Sequence, residues 1–314
     1  MRASDIERIA VVGAGLMGHG IALEFAACGY DVRLHDRDGA QLERARAGIT
    51  DGLRQLGEIG RVPAAALAAA PDRIVMDTDL KSAVVDTDLV IEAVTEDLDV
   101  KRALFRDLDR WTAPHAILAS NSSTFLPSDL AAATQRPDRV LVTHYFHPPY
   151  LLPLVELVRG ELTTDDTVET MRDLYRRLGK APAVVQKEVP GFVGNRLHMA
   201  LYREALAIVA AGIASPQDVD TIVKTGFGRK LGIAGPFELS DASGLDVFLA
   251  MTERLFPQID ASSEVSPLLR DHVARGELGV KSGSGFYHWT PEATVALKQR
   301  LGQGLAAIAR RADS

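Results

Sequence analysis

The sequence predicts an α/β protein in which a doubly wound, mostly parallel sheet is followed by an all-helical domain. Two observations predict this fold. Short β-rich runs alternate with helix-length segments up to about residue 188, and almost all of the chain after that point has helical periodicity. The change falls beside Pro190-Gly191, so we expect a first domain at residues 1–188 and a helical second domain at residues 189–314.

Seven β-rich runs mark the predicted strands of the first domain. In chain order they read IERIAVVG, DVRLHD, RIVMD, LVIEAVTE, AILASNSS, VLVTHYF and AVVQK. The segments between them are long enough for helices, among them the apolar GHGIALEFAACG and an alanine-rich helical region at residues 40–70. Strands that alternate with helices are typical of βαβ units, which build parallel sheets.

The second domain is predicted to consist of helices. Its periodic segments are NRLHMALYREALAIVAAG, PQDVDTIVKTGF, GLDVFLAMTERLF, VSPLLRDHVARGE and PEATVALKQRLGQGLAAIARR. Each repeats apolar residues at helical spacing, and the alanine-rich helices favour packing of helix against helix. We interpret GVKSGSGFY, before the last of these segments, as a structural glycine-rich turn.

Composition excludes several classes of protein. The 314-residue chain has a net charge of −7 from 35 basic and 42 acidic residues, without the basic stripe of a nucleic-acid surface. No uninterrupted apolar run reaches the roughly 18 residues of a membrane helix, and the N-terminus lacks the apolar core of a signal peptide. Cys28 is the one cysteine, which excludes an intrachain disulfide and favours a reducing, cytoplasmic location.

A glycine-rich turn follows the first predicted strand and precedes the first helix. Residues 13–18 read G-A-G-L-M-G, the G-x-G-x-x-G pattern of a Rossmann-type dinucleotide site. The first glycine makes the tight turn, the second lets the backbone approach a pyrophosphate, and the third allows the helix to pack closely on the strand. The helix N-terminus adds free N–H groups. We therefore predict cofactor contacts at Gly13, Gly15, Leu16, Met17 and Gly18.

Asp36 ends the next predicted strand, DVRLHD, 18 residues after Gly18 (36 − 18). An acid at this place accepts hydrogen bonds from both hydroxyls of the adenosine ribose and repels a 2′-phosphate. The neighbouring Arg37 weakens that preference, because arginine is how the 2′-phosphate is usually accommodated. NAD is therefore the predicted cofactor, and a strand–helix turn without a ligand is the alternative.

Polar residues that suit alcohol oxidation follow the later strands. Such a reaction needs a base for the hydroxyl proton, usually a histidine, and hydrogen-bond donors for the oxygen. His144 follows the run VLVT, and Glu156 lies in an apolar run where an unpaired carboxylate would be costly, so we expect the two to pair. Asn121 and the serines beside it follow a strand end, where a doubly wound sheet binds its ligand, and Asn121 is expected to contact the cofactor.

Other interpretations of these residues remain open. A histidine at a strand end is often only a hydrogen-bonded core residue. A metal site at His144 and His147 would need further ligands, and no second cluster of histidine, cysteine or aspartate accompanies them, so no metal is predicted. Ser123 and Asn195 are by themselves typical of turns and helix starts, and Lys101 is typical of the solvated face of an amphipathic helix.

Seven segments, in the same order, resemble the L-3-hydroxyacyl-CoA dehydrogenase family along the whole chain. They are VVGAGLMGHGIA, VIEAVTEDLDVKRALF, ASNSST, the pattern H-x-F-x-P-P-x-x-x-P-L-V-E, PGFVGNR, GPFELSDASGLD and GVKSGSGFY. Several motifs in the right order are more specific than any one alone. The form Y-L-L-P-L-V-E also resembles two relatives, L-carnitine dehydrogenase and the L-gulonate 3-dehydrogenase that serves as lambda-crystallin in the lens.

The resemblance implies roles for single residues. The site residues of the family fall on His144 and Glu156 (the catalytic pair), Ser123 and Asn195 (ligands of the substrate oxygen), and Glu96 and Lys101 (near the nicotinamide ribose). The implied activity is the reversible, NAD-dependent oxidation of the 3-hydroxyl of an L-3-hydroxyacyl-CoA, in fatty acid metabolism, with the histidine as general base. The resemblance also implies that the helical domain closes the cleft and forms a homodimer.

Two alternatives to this activity remain open. One is the same chemistry on a small CoA-free compound of the L-carnitine or L-gulonate type, and the other is a non-catalytic NAD-binding protein.

Two departures from the family bear on the substrate. The family commonly has asparagine in place of His147, and its acyl-CoA enzymes hold CoA with serine and lysine in the arm after the second strand, where residues 40–70 contain no lysine. The cations of this arm are Arg44, Arg46, Arg54 and Arg61, a spacing that is also typical of a solvated helix face.

Overall fold

The computed structural model describes residues 1–60 and 62–311, and eight of its strands form one sheet. The strands are β1 (Arg8–Val12), β2 (Asp31–His35), β3 (Ile74–Asp77), β4 (Leu89–Glu92), β5 (Ile117–Ser120), β6 (Val140–Tyr145), β7 (Leu154–Arg159) and β8 (Ala181–Val185). The helices among them are α1 (Gly18–Ala27), α2 (Gly39–Ile59), α3 (Ala64–Ala69), α4 (Leu80–Val84), α5 (Leu98–Trp111), α6 (Pro127–Ala131) and α7 (Asp165–Arg177). The helices that follow are α8 (Gly194–Ala210), α9 (Pro216–Thr225), α10 (Phe227–Leu231), α11 (Pro236–Ser243), α12 (Leu245–Leu255), α13 (Pro267–Ala274) and α14 (Pro291–Arg311).

The strand order across the sheet is β3-β2-β1-β4-β5-β6-β7-β8. All neighbours are parallel except β6 and β7, which run antiparallel. The chain moves outward from β1 to β3 on one side and outward from β4 on the other. The order therefore reverses beside β1, where doubly wound sheets bind their ligands. The predicted doubly wound, mostly parallel sheet followed by helices is confirmed.

β7 is absent from the seven predicted strands. The run at residues 143–158 reads as one apolar stretch broken by prolines, whereas the structure folds it into a hairpin of β6 and β7. Residues 146–153 form the connection, with a cis peptide bond between His147 and Pro148. Because β7 returns antiparallel to β6, His144 and Glu156 become direct cross-strand partners.

The central strand β1 is buried on both faces. Ile9 and Val11 belong to an apolar cluster with α1 and α2, whereas Ala10 and Val12 belong to a second cluster with α4 and α5. Successive side chains of a strand point to opposite faces, so an unbroken apolar run is what fits between two helical layers. This packing fixes the loop after β1 at the point where the strand order reverses.

A buried ion pair anchors the connection between β6 and β7. The ammonium of Lys180 lies 2.5 Å from Glu24 Oε1 on α1 and donates to the carbonyl oxygens of Pro149 and Leu152. Both charged side chains are buried, a state that is tolerated only when such groups are paired and hydrogen-bonded. The connection is therefore held against α1.

Asp88 ties the beginning of β1 to the loop before β4. Its Oδ2 accepts the N–H groups of Glu7 (3.1 Å) and Arg8 (3.0 Å), and its Oδ1 lies 3.2 Å from His115 Nε2. Burial raises the pKa of Asp88, but these hydrogen bonds outweigh burial, so the pKa is lowered in the folded protein. We expect Asp88→Asn to lower the free energy of unfolding at pH 7 by about 2 kcal/mol.

The effect of Asp88→Asn has a definite pH dependence. Because the folded pKa lies below the unfolded pKa of about 3.9, the stabilisation is present above the unfolded value and is lost as the pH falls through the folded value. In urea unfolding, the difference between the wild type and Asp88→Asn should therefore shrink below about pH 4. A difference that stays constant between pH 7 and pH 3 would contradict this account.

The chain divides into two compact units. The first comprises Met1–Val193 with the chain from Arg300 onward, and the second comprises Gly194–Gln299. The division lies five residues after the expected boundary at residue 188 (193 − 188), and the last turns of α14 go with the first unit. Within the described residues, no helix combines the length and the apolar character needed to cross a membrane.

The second unit buries few of its own side chains. Among its residues, all of which the structure describes, only Leu206 and Ser240 are buried. Large apolar side chains are instead exposed along α8 to α13, including Ile233 (89%) and Phe237 (84%). Exposed apolar surface of this extent is typical of a contact with another surface.

Candidate active site

The glycine-rich turn between β1 and α1 has the geometry that a dinucleotide requires. Gly13 has a φ of +101°, and a Cβ there would lie 2.5 Å from the carbonyl oxygen of Ala93. A Cβ at Gly18 would lie 1.7 Å from the Gly13 oxygen, whereas a Cβ at Gly15 would have no described atom within 4 Å. The first and third glycines are thus required by the packing of the chain itself, and the second leaves open space beside the backbone. The dinucleotide pattern places the pyrophosphate beside this second glycine.

The N-terminus of α1 has no side-chain cap. Met17 occupies the N-cap position, and no side chain there accepts a hydrogen bond from the first turn. The N–H groups of that turn and the positive end of the helix dipole therefore favour an anionic ligand. Leu16 is 65% exposed, while Met17 packs against the apolar core.

Asp36 lies beside the glycine turn, directly after β2. Its Oδ2 accepts the N–H of Ala14 at 2.9 Å, and its Oδ1 accepts the N–H of Asp38 at 3.0 Å. These bonds hold the carboxylate next to the turn, which suits contact with an adenosine ribose. The neighbouring Arg37 is exposed.

His144 and Glu156 form a buried pair on the β6–β7 hairpin. His144 Nδ1 lies 2.7 Å from Glu156 Oε2, and Glu156 Oε1 accepts the N–H of Val193 at 3.0 Å. Because an ionised carboxylate can only accept, Nδ1 is the nitrogen that donates to Glu156, and in the neutral imidazole Nε2 is then the acceptor. Nε2 lies 3.0 Å from Ser123 Oγ. The structure thus brings together the expected base, its partner and one expected oxygen ligand.

Phe192 shapes the surroundings of this pair. Its φ is +51°, the one positive value among the described residues other than glycine, and its side chain is fully buried. A phenylalanine in the left-handed region costs about 1 kcal/mol, so packing must hold it there. The ring centroid of Phe192 lies 5.4 Å from that of His144, and the ring centroid of Phe146 lies 4.8 Å from that of His144. The histidine is therefore enclosed by apolar rings.

Glu96 holds the turn that carries Ser123. Its Oε1 accepts the hydroxyl of Ser122 at 2.5 Å and the N–H groups of Ser123 and Thr124, each at 3.1 Å. Burial raises the pKa of Glu96, but the hydrogen bonds from Ser122 and Thr124 and the charge of Lys101 outweigh burial and lower the pKa. An ionised carboxylate thus organises the turn.

Lys101 is buried, although its position in an amphipathic helix is typical of a solvated face. Its Nζ lies 2.6 Å from Glu92 Oε1 and 3.1 Å from Glu96 Oε2. The lysine side chain is 1% exposed, and that of Glu92 is fully buried. Lys101 therefore bridges two carboxylates beneath the turn.

The two remaining residues of the expected site, Asn121 and Asn195, and the departure from the family at His147 lie in three places. Asn121 follows β5, and its Oδ1 accepts the N–H of Tyr145 at 3.1 Å, which ties β5 to β6. Asn195 is the second residue of α8, in the second unit, and is half-buried there. His147 is half-buried in the connection between β6 and β7, and burial, together with the charge of His19, lowers its pKa.

Two buried residues of this region are absent from the sequence-based set. Glu92 lies in the apolar run LVIEAV, and the reasoning applied to Glu156, that a carboxylate in an apolar strand needs a partner, would have identified it. Phe192 carries no such signal, because packing imposes the positive φ of a phenylalanine.

His144 and His147 are the residues that a metal site in this region would use. Both ring nitrogens of His144 are engaged, one with Glu156 and one with Ser123. A structural metal site needs about four ligands. Within the residues that the structure describes, no group of three histidine, cysteine, aspartate or glutamate side chains is placed to hold a metal ion.

Two family models match consecutive parts of the chain. The model of the 3-hydroxyacyl-CoA dehydrogenase NAD-binding domain matches residues 8–189. The model of the 3-hydroxyacyl-CoA dehydrogenase C-terminal domain matches residues 191–289. Together they account for most of the chain and for both halves of the predicted architecture.

Similar proteins also span most of the chain. The 5-formyl-3-hydroxy-2-methylpyridine 4-carboxylate 5-dehydrogenase of Mesorhizobium japonicum is 36% identical over 306 residues, which cover 97% of this chain and 98% of the relative. The probable 3-hydroxybutyryl-CoA dehydrogenase of Deinococcus radiodurans is 39% identical, and the match covers 90% of this chain and 100% of the relative. A crystal structure of a dehydrogenase for the same pyridine carboxylate, described as an NAD+ dependent dismutase, has a TM-score of 0.93 at 35% identity and covers 98% of this chain and 99% of that one.

These findings confirm the expected family, the expected cofactor and the expected class of enzyme. The relatives are named dehydrogenases, and the matched N-terminal model is that of an NAD-binding domain. The glycine turn of this chain has the shape that such a cofactor needs. The chain is therefore an NAD-dependent oxidoreductase that belongs to the 3-hydroxyacyl-CoA dehydrogenase family.

Proposed function

We propose that His144, Glu156 and Ser123 form the catalytic centre, which oxidises a carbon that bears a hydroxyl group. The observation that carries the proposal is the pair of contacts at the histidine ring, 2.7 Å at Nδ1 and 3.0 Å at Nε2. A general base must lie within hydrogen-bond reach of the proton that it removes. The Nε2 lone pair and the Ser123 hydroxyl lie side by side, so one substrate oxygen can reach both.

In the proposed reaction, His144 Nε2 takes the hydroxyl proton. NAD, when bound, supplies the hydride acceptor. Glu156 keeps the Nδ1 proton in place and stabilises the positive charge that the ring acquires. Ser123 donates its hydroxyl to the substrate oxygen as this oxygen becomes a carbonyl, and the family resemblance supports Asn195 as a second donor.

The proposed cofactor contacts lie along the carboxyl ends of the central strands. For the pyrophosphate they are Gly13, Gly15, Leu16, Met17 and Gly18, at the N-terminus of α1. Asp36 is proposed to accept the hydroxyls of the adenosine ribose. On the nicotinamide side, the proposed contacts are Glu96, Lys101 and Asn121, which lie beyond the ends of β4 and β5.

We propose a small CoA-free hydroxy compound as the substrate, and the charges of the arm helix α2 support this choice. The arginines of α2 lie near acids: Arg44 is 3.2 Å from Asp38, Arg46 is 3.5 Å from Glu43, and Arg54 is 2.7 Å from Asp51. The helix contains three arginines and three acids, so its net charge is zero (3 − 3). Coenzyme A carries several phosphate charges, which a neutral helix does not attract. Arg61 lies outside the described residues.

The position of α14 also supports a CoA-free substrate. Its last turns pack against Ile59 and Leu151, and Arg310 donates to the carbonyl oxygen of Glu58 at 2.8 Å. This contact covers the far end of α2, the arm on which the acyl-CoA enzymes of the family hold CoA. The C-terminal family model ends at residue 289, before α14 begins.

The share of this chain that each relative covers also supports a CoA-free substrate. The Mesorhizobium relative, whose name gives a CoA-free pyridine carboxylate as substrate, covers 97% of this chain, whereas the Deinococcus relative covers 90%. The 5-formyl group of that substrate forms a hydrate in water, which bears a hydroxyl on a carbon that still carries hydrogen. The same base therefore suits an alcohol or a hydrated aldehyde.

An L-3-hydroxyacyl-CoA is the second candidate substrate. The identity of 39% to the Deinococcus relative, named a probable 3-hydroxybutyryl-CoA dehydrogenase, favours it, since the match covers 100% of that protein. The proposed base chemistry is the same for both candidates, so the catalytic centre does not separate them.

Initial rates followed at 340 nm distinguish the two substrates. The purified protein is supplied with NAD and L-carnitine, L-gulonate or 5-formyl-3-hydroxy-2-methylpyridine 4-carboxylate, and separately with NADH and acetoacetyl-CoA. We expect kcat/KM for at least one CoA-free compound to exceed that for acetoacetyl-CoA. The reverse order would favour the second candidate, and NAD binding without turnover of any compound would favour the non-catalytic alternative.

We further propose that the second unit forms a homodimer. A groove of about 770 Å³ between α8 and the segment before α13 is lined by apolar side chains that include Met199, Val265 and Leu269. Because a two-fold interface joins the same surface of two copies, the exposed apolar helices of one unit can cover those of the other. Sedimentation equilibrium should give twice the monomer mass, and a monomer at micromolar concentration would contradict the proposal.

A further inference from the structure

Glu92 is a fully buried carboxylate beside the proposed catalytic centre. It ends β4 and pairs in register with Val12 of β1 and Ser120 of β5. Its Oε1 accepts the N–H of Val94 at 2.7 Å and the ammonium of Lys101 at 2.6 Å, and its Oε2 accepts the hydroxyl of Ser120 at 2.6 Å. A buried carboxylate is unfavourable unless it is paired and hydrogen-bonded, and Glu92 is both.

One chain of hydrogen bonds leads from Glu92 to the turn at residues 122–124 through Ser120. The Ser120 hydroxyl donates to Glu92 and accepts the N–H of Ser122 at 3.1 Å. The orientation of this hydroxyl is fixed by the carboxylate, because its single proton is used there. The first residue of the turn is therefore positioned by Glu92.

A second chain of contacts runs through Lys101. The Lys101 ammonium, 2.6 Å from Glu92, also lies 3.1 Å from Glu96 Oε2. The other oxygen of Glu96 accepts the N–H of Ser123 at 3.1 Å. Ser123 Oγ in turn lies 3.0 Å from Nε2 of His144. The second chain thus ends at Ser123, which faces the proposed base, and the first chain ends at the neighbouring Ser122.

We infer that Glu92 is a positioning residue for Ser123: by holding Ser120 and Lys101, it fixes the distance between the Ser123 hydroxyl and His144 Nε2. This inference rests on the proposed function of Ser123 and His144. Groups that act on a reacting oxygen must be held to within about 0.5 Å. A displacement of about 1 Å can lower the rate about 100-fold.

Glu92→Gln tests this role in two backgrounds. The amide keeps the length of the side chain but removes its charge, so Lys101 is left with Glu96 as its one carboxylate partner. We expect kcat, at saturating NAD and substrate, to fall about 10- to 100-fold. In a Ser123→Ala background, the same change should lower kcat by about threefold or less, because no hydroxyl is left to misplace. Equal factors in the two backgrounds would overturn the inference.

Glu24→Gln is the matched control. Glu24 is also a buried carboxylate paired with a buried lysine, at 2.5 Å, but its partner Lys180 holds the connection between β6 and β7. Glu24→Gln should therefore change kcat by the same factor with and without the Ser123 hydroxyl. If Glu92→Gln does not fold, Ser120→Ala replaces it, because this change removes only the first chain of hydrogen bonds. We expect Ser120→Ala to lower kcat in the wild-type background and to have much less effect on kcat in the Ser123→Ala background.

A second measurement does not depend on turnover. In protein labelled with 15N-histidine, the Nε2 signal of His144, assigned by its loss in His144→Gln, reports the hydrogen bond from Ser123. We expect Glu92→Gln to shift this signal toward its position in Ser123→Ala, and an unshifted signal would overturn the inference. A wild type without turnover on any substrate would instead contradict the proposed function, and the histidine signal would still decide the role of Glu92.

Discussion

Replacing His144 with glutamine is expected to lower kcat about 1,000-fold at saturating NAD and substrate. The glutamine amide is not a base, so the substrate hydroxyl loses the proton acceptor that Nε2 supplies 3.0 Å from Ser123 Oγ. NAD affinity should be nearly unchanged, because the glycine turn follows β1 whereas His144 lies on β6. NADH formation gives kcat, and titration calorimetry gives the dissociation constant of NAD.

His115→Gln is the matched control for His144→Gln. His115 also contacts a buried carboxylate, with its Nε2 3.2 Å from Asp88 Oδ1, but it lies before β5 and away from the proposed centre. Its replacement should leave kcat close to the wild-type value. Near-normal turnover by His144→Gln would remove the histidine from the mechanism, and an equal loss in His115→Gln would attribute the effect to stability.

Glu156→Gln is expected to lower kcat/KM about 100-fold or more. The carboxylate uses both oxygens, one for His144 Nδ1 at 2.7 Å and one for the N–H of Val193 at 3.0 Å. An amide has only one oxygen. If that oxygen serves Val193, the amide N–H₂ faces Nδ1, which must then accept, and the ring proton moves to Nε2. The base is lost even though the histidine is present.

Two measurements separate this tautomer effect from a loss of folding. The 15N signals of His144 should exchange their protonated and unprotonated positions in Glu156→Gln, while urea unfolding shows whether the variant remains folded. Glu188→Gln serves as the control, because Glu188 accepts the N–H of Ser128 at 3.0 Å and has no contact with the histidine ring among the described hydrogen bonds. Wild-type kcat/KM in Glu156→Gln would contradict the proposed role of the carboxylate.

The features that sequence reasoning recovers are those with local causes. Gly18 is required by its close contact with Gly13, and Gly13 makes the tight turn with a positive φ, so the spacing of these glycines within one strand–turn–helix unit predicts the turn. The pairing of His144 with Glu156 follows from a simple requirement, that a carboxylate in an apolar strand needs a partner. Such requirements can be read from the order of residues.

The features that sequence reasoning misses depend on contacts between distant segments. β7 merges with β6 in the sequence pattern, because the run of apolar residues does not mark where the chain reverses. Lys101 looks solvated from helical spacing alone, and it is buried because Glu92 and Glu96 compensate its charge from a strand and a loop. The end of α14 has helical periodicity, which does not reveal that it packs against Ile59 and Leu151.

The most direct test of His144 as the base compares the wild type with His144→Gln, by NADH formation with the CoA-free compounds and by NADH consumption with acetoacetyl-CoA. In the proposed mechanism, His144, held by Glu156, removes the substrate proton in an NAD-dependent oxidation. We expect turnover by the wild type and its loss in the variant, with equal affinity for NAD. Equal turnover by the two proteins would contradict this mechanism.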